Sequence, residues 1–252
     1  MACLSKIVKQ AVILVLPVVL TVTVPVQPVQ GETKPEKGLV VLLHGLARSS
    51  ASMNKMQKAL GNDGFETCNV DYPSTKYTIA VLANDYVLPK IRECTGGNDQ
   101  LLDFVTHSMG GIIVRYLGRE KLVSRIGRVV MLSPPNHGSE VVDVLGNLWL
   151  FNWINGPAGG ELGTDDKSMP LQLGPPDFDV GIITGNKSIN LINSAMINGV
   201  DDGKVSVKNA KLEGMKDFLI LPVTHPFIMK DETAIKQTIH FLNFGKFINN
   251  SL

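Results

Sequence analysis

A serine lies at the point where an apolar, strand-like run ends and a helix-like segment begins. Ser108 follows residues 101–106, whose apolar composition is typical of a buried strand. Met109, Gly110 and Gly111 come directly after it and begin a segment of helical composition. A serine on so sharp a strand-to-helix turn is a nucleophile elbow, in which the hydroxyl is exposed above the sheet. The pattern therefore predicts Ser108 as a nucleophile that attacks an acyl carbon.

A second turn follows the first strongly apolar run. Residues 39–43 consist of Val and Leu, and His44-Gly45-Leu46 comes next. Attack on an ester carbonyl produces an oxyanion, and each of two preorganised backbone amides stabilises it by roughly 3 kcal/mol or more. We assign these amides to Leu46 and Met109. The His44 side chain is predicted to be structural and to hydrogen-bond the loop.

The base and the acid are predicted from two late segments. His225 follows the apolar run 218–221, and Asp201 and Asp202 follow the run 180–184. The histidine would take the serine proton and pass it to the leaving alcohol, while the acid holds the required tautomer. Asp202 is favoured over Asp201 because it directly precedes the turn glycine. A solvated turn, with neither carboxylate in the site, is the alternative for both.

Three other histidines compete with His225 for the role of base. His107 adjoins Ser108, and neighbouring residues of a strand point to opposite faces, so we expect it to pack beneath the turn. His137 lies in a Pro-rich loop and is predicted to be structural or part of a pocket wall. His240 belongs to the predicted C-terminal helix and is expected to find its hydrogen-bond partner there.

These residues need a scaffold to bring them together. From residue 38 onward, short apolar runs alternate with longer segments of helical period, which predicts a mostly parallel central sheet flanked by helices. The predicted strands are residues 39–43, 65–70, 101–106, 128–132, 180–184 and 218–221. The predicted helices are residues 53–60, 78–93, 109–117 and 231–244.

Residues 139–176 interrupt this alternation. The segment is rich in Gly and Pro and holds both tryptophans of the chain. We predict a short lid-like insertion in which Trp149, Phe151 and Trp153 bind substrate as an acyl-binding wall. If exposed, this apolar surface would contact a membrane or lipid surface. A helix that only packs over the sheet is the alternative.

The first 31 residues differ in composition from the rest of the chain. Lys6 and Lys9 precede an uncharged, apolar run over residues 10–31 that three prolines interrupt. We predict a secretory signal peptide over residues 1–31 or, alternatively, an N-terminal membrane anchor. The domain is then residues 32–252, and the expected location is secreted, periplasmic or in the cell envelope.

The expected state of the cysteines depends on that location. Cys3 lies inside the predicted signal, which leaves Cys68 and Cys94 in the domain. In an oxidising compartment such a pair can close as a disulfide. Two separate buried thiols are the alternative, because the sequence does not give the distance between them.

Charge and composition argue against several other functions. The 252 residues carry 24 Lys and Arg against 23 Asp and Glu, a formal charge of +1. Because positive and negative charges are almost equal in number, the protein has no long-range field that would attract nucleic acid. We therefore do not expect nucleic acid as a partner. The five histidines are not closely paired and no Cys-x-x-Cys motif occurs, so we expect no transition metal and no other cofactor, and nothing in the sequence requires calcium, which stays the open alternative.

Together these motifs resemble those of bacterial triacylglycerol lipases and related esterases of the α/β-hydrolase superfamily. The likeness spans roughly residues 38–244. The histidine-glycine turn, the serine elbow, the Asp-Gly-x-Val segment and the late histidine of the superfamily match His44, Ser108, Asp202 and His225. The order serine, acid, base along the chain is also the one that the superfamily has.

The resemblance implies an α/β-hydrolase fold and a carboxylic ester hydrolase, a lipase or esterase, whose substrate is a lipid or a small ester. The same frame also carries acyltransferases and phospholipases, and a catalytically silent lipid-binding protein is the alternative from outside the enzymes. One residue departs from the family pattern, since Thr106 replaces the first glycine of Gly-x-Ser-x-Gly. We interpret Thr106 as a packing adjustment, because a branched side chain suits the strand but crowds the following helix.

Overall fold

A sheet of six parallel strands forms the centre of the part of the chain that the computed structural model describes, namely residues 37–145, 149–189 and 191–248. Side chains are described throughout these ranges except at residues 149–154 and 191. The strands are β1 (Leu39–Leu43), β2 (Glu66–Val70), β3 (Leu102–His107), β4 (Ile126–Leu132), β5 (Asp179–Gly185) and β6 (Asp217–Leu221). Their order across the sheet is β2-β1-β3-β4-β5-β6, and every neighbouring pair is parallel.

The two faces of the sheet carry separate apolar cores, because successive side chains of a strand point to opposite faces. In β1, Val41 and Leu43 pack into one core, and Val40 and Leu42 pack into the other. All four are fully buried, and burial of such a side chain stabilises the fold by roughly 1.5–3 kcal/mol. A strand covered on both sides has no solvent face, which explains why this run contains no polar residue.

Helices cover both faces of the sheet. They are α1 (Asn54–Asn62), α2 (Ile79–Val81), α3 (Leu88–Cys94), α4 (Met109–Arg119), α5 (Glu140–Leu145), α6 (Trp149–Gly160), α7 (Met169–Gln172), α8 (Leu191–Met196), α9 (Val207–Ala210) and α10 (Glu232–Phe244). A π-helical segment, Leu82–Val87, joins α2 to α3, and 3-10 turns occupy Ser50–Met53 and Ile228–Lys230. Helices α2, α3 and α4 pack on one face, and α1 and α10 pack on the other.

The predicted fold class is confirmed. The ends of all the predicted strands, and of the four predicted helices, agree with the structure to within two residues. The sequence does not predict α5, α7, α8 and α9, whereas α6 lies in the segment for which a helix over the sheet is the alternative to a lid. Two of them, α7 and α9, contain only four residues each, which is too short for a helical period to be visible in the sequence.

The predicted insertion is tied to the helices beneath it by polar contacts. Arg115 on α4 is buried and donates hydrogen bonds of 2.8 Å to the carbonyls of Pro170 and Gly174. Burial lowers the pKa of Arg115 to about 10, so the guanidinium is still charged at neutral pH. Glu161 accepts a hydrogen bond of 2.7 Å from the Ile79 amide and caps the start of α2. These contacts hold the segment over one face of the sheet.

A disulfide links Cys68 in β2 to Cys94 at the end of α3. The two cysteines therefore form a disulfide and are not two separate buried thiols. Because β2 is an edge strand, the bond fixes the end of α3 against an edge of the sheet.

The predicted signal peptide or anchor, residues 1–31, lies outside the described residues. Among the helices that the structure describes, none combines the length and the apolar character needed to cross a bilayer.

Candidate active site

Ser108 occupies a strained turn between β3 and α4. Its backbone has φ 53° and ψ −123°, in a region that residues with a side chain rarely adopt. Such a conformation costs on the order of 1–3 kcal/mol and persists only where its surroundings enforce it. The Ser108 amide donates to the Leu132 carbonyl of β4 at 2.8 Å, and the Ser108 carbonyl accepts from the Gly111 amide at 2.9 Å. Hydrogen bonds to β4 and to the first turn of α4 thus fix the backbone of Ser108.

Two glycines let α4 approach the sheet behind this turn. A Cβ on Gly110 would lie 2.6 Å from the Leu43 carbonyl oxygen, closer than real Cβ atoms come. A Cβ on Gly111 would lie 3.4 Å from the Thr106 hydroxyl oxygen and 3.3 Å from the Met131 sulfur. The helix residue that faces the Thr106 side chain is therefore Gly111, which has no side chain for Thr106 to crowd.

The predicted oxyanion loop lies directly against the serine turn. A Cβ on Gly45 would lie 2.7 Å from His107 Nδ1 and 3.1 Å from Ser108 Cβ. Leu46 lines the same cavity as Ser108, and within the described part of the chain its amide makes no backbone hydrogen bond. Met109 is the first residue of α4, where amides have no partner inside the helix and the helix dipole is positive. Both predicted amide donors are therefore adjacent to the serine.

His44 supports this loop from within the core. Its Nδ1 donates to the Gly45 carbonyl at 2.9 Å, and its Nε2 accepts from the Tyr72 amide at 3.3 Å. The Tyr72 ring stacks on the imidazole with centroids 4.0 Å apart, and the Tyr72 hydroxyl donates to the His44 carbonyl. Burial lowers the pKa of His44, which keeps the ring neutral. The structural role predicted for this side chain agrees with these contacts.

Asp202 and His225 form a buried hydrogen-bonded pair. His225 Nδ1 lies 2.8 Å from Asp202 Oδ2, and the two side chains are 4% and 0% exposed. Asp202 Oδ1 accepts from the amides of Lys204 at 3.0 Å and Val205 at 2.9 Å. The His225 amide also donates to the Asp202 carbonyl at 2.9 Å. With the proton on Nδ1, the imidazole has a lone pair on Nε2 with which to accept a proton.

The carboxyl of Asp202 is ionised at neutral pH. Burial by itself would raise its pKa, but the charge and hydrogen bond of His225, together with the Val205 amide, act against burial and leave the pKa of Asp202 below its usual value. Space for this carboxyl comes from Gly185 at the end of β5, where a Cβ would lie 2.9 Å from Asp202 Cβ. An anion beside the imidazole stabilises the imidazolium that proton transfer would create.

Asp201 has a different place in the turn. Its Oδ1 accepts from the Gly203 amide at 2.6 Å and from the Ser194 hydroxyl at 2.8 Å. These bonds close the turn and link it to α8. Of the two aspartates that the sequence left open, the structure joins Asp202 to His225.

His107 has a role that the sequence did not predict. It is buried, and its Nε2 donates to the His225 carbonyl at 3.0 Å. Burial, and then the charge of His225, hold the pKa of His107 far below its ordinary value, so the ring is neutral. We had expected it beneath the turn on the opposite face, but it lines the same cavity as Ser108. The strand alternation does not continue past His107, because the positive φ of Ser108 turns the chain there.

The remaining histidines lie elsewhere. The side chain of His137 is exposed, and its amide donates to the Asn209 carbonyl. His240 Nδ1 donates to the Lys246 carbonyl at 2.8 Å, near the end of α10. Within the described residues, neither side chain lines the cavity that holds His225.

The predicted site residues line one cavity of about 450 Å³, a size typical of small-molecule sites. Much of its wall is apolar, and residues 139–176 contribute a large part of that wall. The apolar lining residues are Leu46, Pro135, Val141, Val142, Leu145, Leu162, Ile189, Val205 and Pro226. The side chains of Trp149, Phe151 and Trp153, predicted to bind substrate, lie outside the described residues. In the described ranges, no three metal-ligating side chains cluster together.

Comparison with protein families decides the classification. A family model described as the alpha/beta hydrolase fold matches residues 38–167, which is 130 of the 252 residues. The chain belongs to the α/β-hydrolase fold family. The matched segment includes the predicted oxyanion loop, the serine turn of this α/β hydrolase and most of the predicted insertion.

Solved structures of lipolytic enzymes resemble this α/β hydrolase in fold. Bacillus licheniformis lipase BlEst2 in its mature form is 24% identical, with a TM-score of 0.67, and the match covers 86% of this chain and 96% of that one. Paleococcus ferrophilus monoacylglycerol lipase is 18% identical, with a TM-score of 0.54 and coverage of 83% and 95%. The expected resemblance to lipases and esterases is confirmed at the level of fold, which is all that such identities show.

A third structure is larger than this chain. Phospholipase PlaB from Legionella pneumophila, solved in complex with thio-NAD, is 19% identical, with a TM-score of 0.64. The match covers 81% of this chain but only 56% of the phospholipase, so this chain spans about half of that protein's length. A comparison with curated protein sequences found no match.

Proposed function

We propose that this α/β hydrolase cleaves carboxylic esters with Ser108 as nucleophile, His225 as general base and Asp202 as the supporting acid. The observation that carries the proposal is the buried 2.8 Å hydrogen bond between His225 and Asp202, on the wall of the cavity that also holds the strained turn of Ser108. A nucleophile, a base and a carboxylate that orients the base make up the apparatus of acyl transfer.

The proposed reaction has two steps. His225 Nε2 removes the proton of the Ser108 hydroxyl as its oxygen attacks the ester carbonyl, and then gives that proton to the leaving alcohol. An acyl-enzyme remains on Ser108. The same imidazole then removes a proton from water as the water attacks the acyl carbon. The bond from that carbon to the Ser108 oxygen breaks to release the acid, and the imidazolium returns the proton to the Ser108 oxygen. Asp202 stays ionised throughout and stabilises the imidazolium of each step.

The amides of Leu46 and Met109 are the proposed oxyanion hole. Two observations support them: the Leu46 amide makes no backbone hydrogen bond within the described residues, and Met109 begins α4. The close contact of Gly45 with the serine turn supports a position of the Leu46 amide near the Met109 amide. Removal of one such donor costs about 100-fold to 1,000-fold in turnover.

The apolar wall of the cavity supports an acyl ester or a lipid as substrate. The names of the structurally similar proteins, two lipases and a phospholipase, point to the same class. Contact of residues 139–176 with a lipid surface is part of the proposal. Acyl transfer to an alcohol and cleavage of a phospholipid would use the same groups, and analysis of the products with ester, phospholipid and alcohol acceptor present separates these activities.

We also propose that the protein is exported. The apolar N-terminal run with its preceding lysines supports export, and so does the disulfide between Cys68 and Cys94. Disulfides form and persist in secreted and envelope proteins and are rare in the reducing cytosol.

A series of p-nitrophenyl esters from acetate to palmitate tests the proposal. We expect the wild type to hydrolyse members of the series, and Ser108→Ala to lose activity by at least about 1,000-fold while its thermal unfolding is little changed. Ser124→Ala is the matched control, because this serine lies in an exposed turn before β4 and contacts Asp99. Equal activities of wild type and Ser108→Ala would contradict the proposal.

A further inference from the structure

Two cationic residues line the cavity that holds Ser108 and His225. Arg48 comes shortly after the oxyanion loop, and Lys204 follows the turn that carries Asp202. The proposed ester hydrolysis assigns neither of these side chains a role. Other polar groups of the wall belong to the proposed reaction or make hydrogen bonds to neighbouring loops, as Ser139 and Asn193 do.

Neither cation has a partner within the described residues. No salt bridge and no side-chain hydrogen bond there involves Arg48 or Lys204. Several other lysines do have one, for example Lys37 with Asp63 and Lys90 with Glu93. Within the described residues, the carboxylates that form ion pairs with lysines therefore do so away from Arg48 and Lys204.

The carboxylate of Asp202 is not free to pair with either cation. Asp202 lies close to Lys204, but one of its oxygens binds His225 and the other accepts two backbone amides. Burial and the charge of Arg48 lower the pKa of Lys204, against the opposing effect of Asp202. This burial is partial, since Lys204 remains exposed to solvent. Arg48 and Lys204 line the same cavity and carry like charges that repel each other, and an anion between them would remove the repulsion.

We propose that Arg48 and Lys204 form a subsite for a negatively charged oxygen group, a phosphate or a carboxylate, on the ester substrate. A guanidinium binds such a group through two parallel N–H donors, and an ammonium adds a point charge. The rest of the wall is apolar, which suits a hydrocarbon chain. The substrate class is thus an amphiphilic ester that carries an anion. This inference rests on the proposed ester hydrolysis.

Two pairs of esters that differ only in an anion test the subsite. Mono-p-nitrophenyl adipate and p-nitrophenyl hexanoate carry or lack a carboxylate on the acyl side. Hexanoylglycerol 3-phosphate and monohexanoylglycerol carry or lack a phosphate on the alcohol side. The measured quantity is the ratio of kcat/KM for the anionic ester to kcat/KM for the neutral ester within each pair. Because the ratio is taken within one variant, a general loss of activity cancels.

We expect the wild type to favour the anionic ester by about tenfold in one pair, which identifies the anion as carboxylate or phosphate. Arg48→Gln and Lys204→Gln should each lower that ratio by about threefold, and the double variant should lower it to about one. Added salt should lower the wild-type ratio as well. Lys208→Gln is the matched control, because Lys208 is exposed on α9 and lies outside the lining of the cavity.

The subsite is refuted if the wild type shows no preference in either pair, or if the double variant keeps the wild-type ratio. Hydrolysis of the neutral esters would then still support the proposed function. If none of the four esters is cleaved, ester hydrolysis fails instead. Calorimetric binding of hexyl phosphate and of hexanoate, measured on the wild type and on the double variant, then decides the subsite: weaker binding to the variant supports it, and equal or absent binding overturns it.

Discussion

His107 donates a hydrogen bond to the backbone carbonyl of His225, with 3.0 Å between the two atoms and 4.9 Å between the ring centroids. One of these residues precedes Ser108, and the other is the proposed base. The bond therefore ties the loop that carries His225 to the turn that carries Ser108. The ring of His107 must be neutral for His225 to accept a proton, because a positive charge on His107 would oppose formation of the His225 imidazolium.

His107 is predicted to be a positioning residue. Replacement by leucine removes the donor, and we expect kcat to fall by about tenfold to 100-fold with little change in KM, since a misplaced base slows the chemical step. His107→Gln keeps an amide donor and should recover a large part of kcat. Steady-state kinetics on a neutral ester gives both values. Full kcat in His107→Leu would show that the bond does not matter.

Asp202 and Asp201 are predicted to differ in effect although they are neighbours. Asp202→Asn should lower kcat by about 1,000-fold to 10,000-fold, because an amide leaves the imidazole in the wrong tautomer. Asp201→Asn removes only the carboxylate that closes the turn, and we expect a loss of about 1 kcal/mol in stability with less than a tenfold loss in kcat. Equal losses of kcat would reverse the assignment of the acid.

Two helical glycines give a matched test of the packing at the serine turn. Gly110→Ala places a Cβ against the Leu43 carbonyl of β1, whereas Gly61→Ala in α1 meets nothing within 4 Å. We expect Gly61→Ala to raise stability by roughly 0.5–1 kcal/mol, because alanine favours a helix. Gly110→Ala should lower the melting temperature and the activity together. An unchanged melting temperature for Gly110→Ala would contradict the close approach of α4 to the sheet.

The sheet could be predicted because its strands are unusually clear in the sequence. Residues of β1 are apolar throughout, as a strand buried on both faces requires. Ser108, Asp202 and His225 come after β3, β5 and β6, and parallel strands end at the same edge of a sheet. Asp202 could be preferred to Asp201 because Asp202 directly precedes the turn glycine Gly203. The structure brings these three residues to one cavity.

Other features depend on contacts that a sequence does not reveal. His107 was assigned to the opposite face because strand alternation was extended through a residue that ends the strand. Arg115 lies in an apolar helical segment, and only the folded chain brings the carbonyls of Pro170 and Gly174 to it. Arg48 and Lys204 are far apart in the chain, and Lys204 occupies the variable position of the Asp-Gly-x-Val segment, so no motif marks either residue as a ligand. His107 and Arg115 bind backbone carbonyls that are distant in sequence, and Arg48 and Lys204 come from distant segments to one cavity.

Stability should fall as the solution is acidified below about pH 6.5. Burial lowers the pKa of both His44 and His107 in the folded protein, whereas in the unfolded chain both titrate near 6.5. Below that pH the unfolded state binds protons that the folded state does not, so the free energy of unfolding decreases by at most about 1.4 kcal/mol per pH unit for each histidine. Denaturant unfolding at pH 7 and pH 5 measures this loss.

The variant His107→Gln supplies the control for that pH dependence. Glutamine does not titrate, so the difference in stability between pH 7 and pH 5 should be smaller in the variant than in the wild type. An identical pH dependence in the two proteins would mean that His107 does not contribute.

Covalent labelling tests the central claim most directly. A fluorophosphonate reacts with an activated serine, and peptide mass mapping identifies the modified residue. We predict a single adduct on Ser108, formed at least about 100-fold more slowly in His225→Ala and in Asp202→Asn, because both variants lose the activated base. An adduct on a different serine, or no adduct on the folded wild-type protein, would contradict the account.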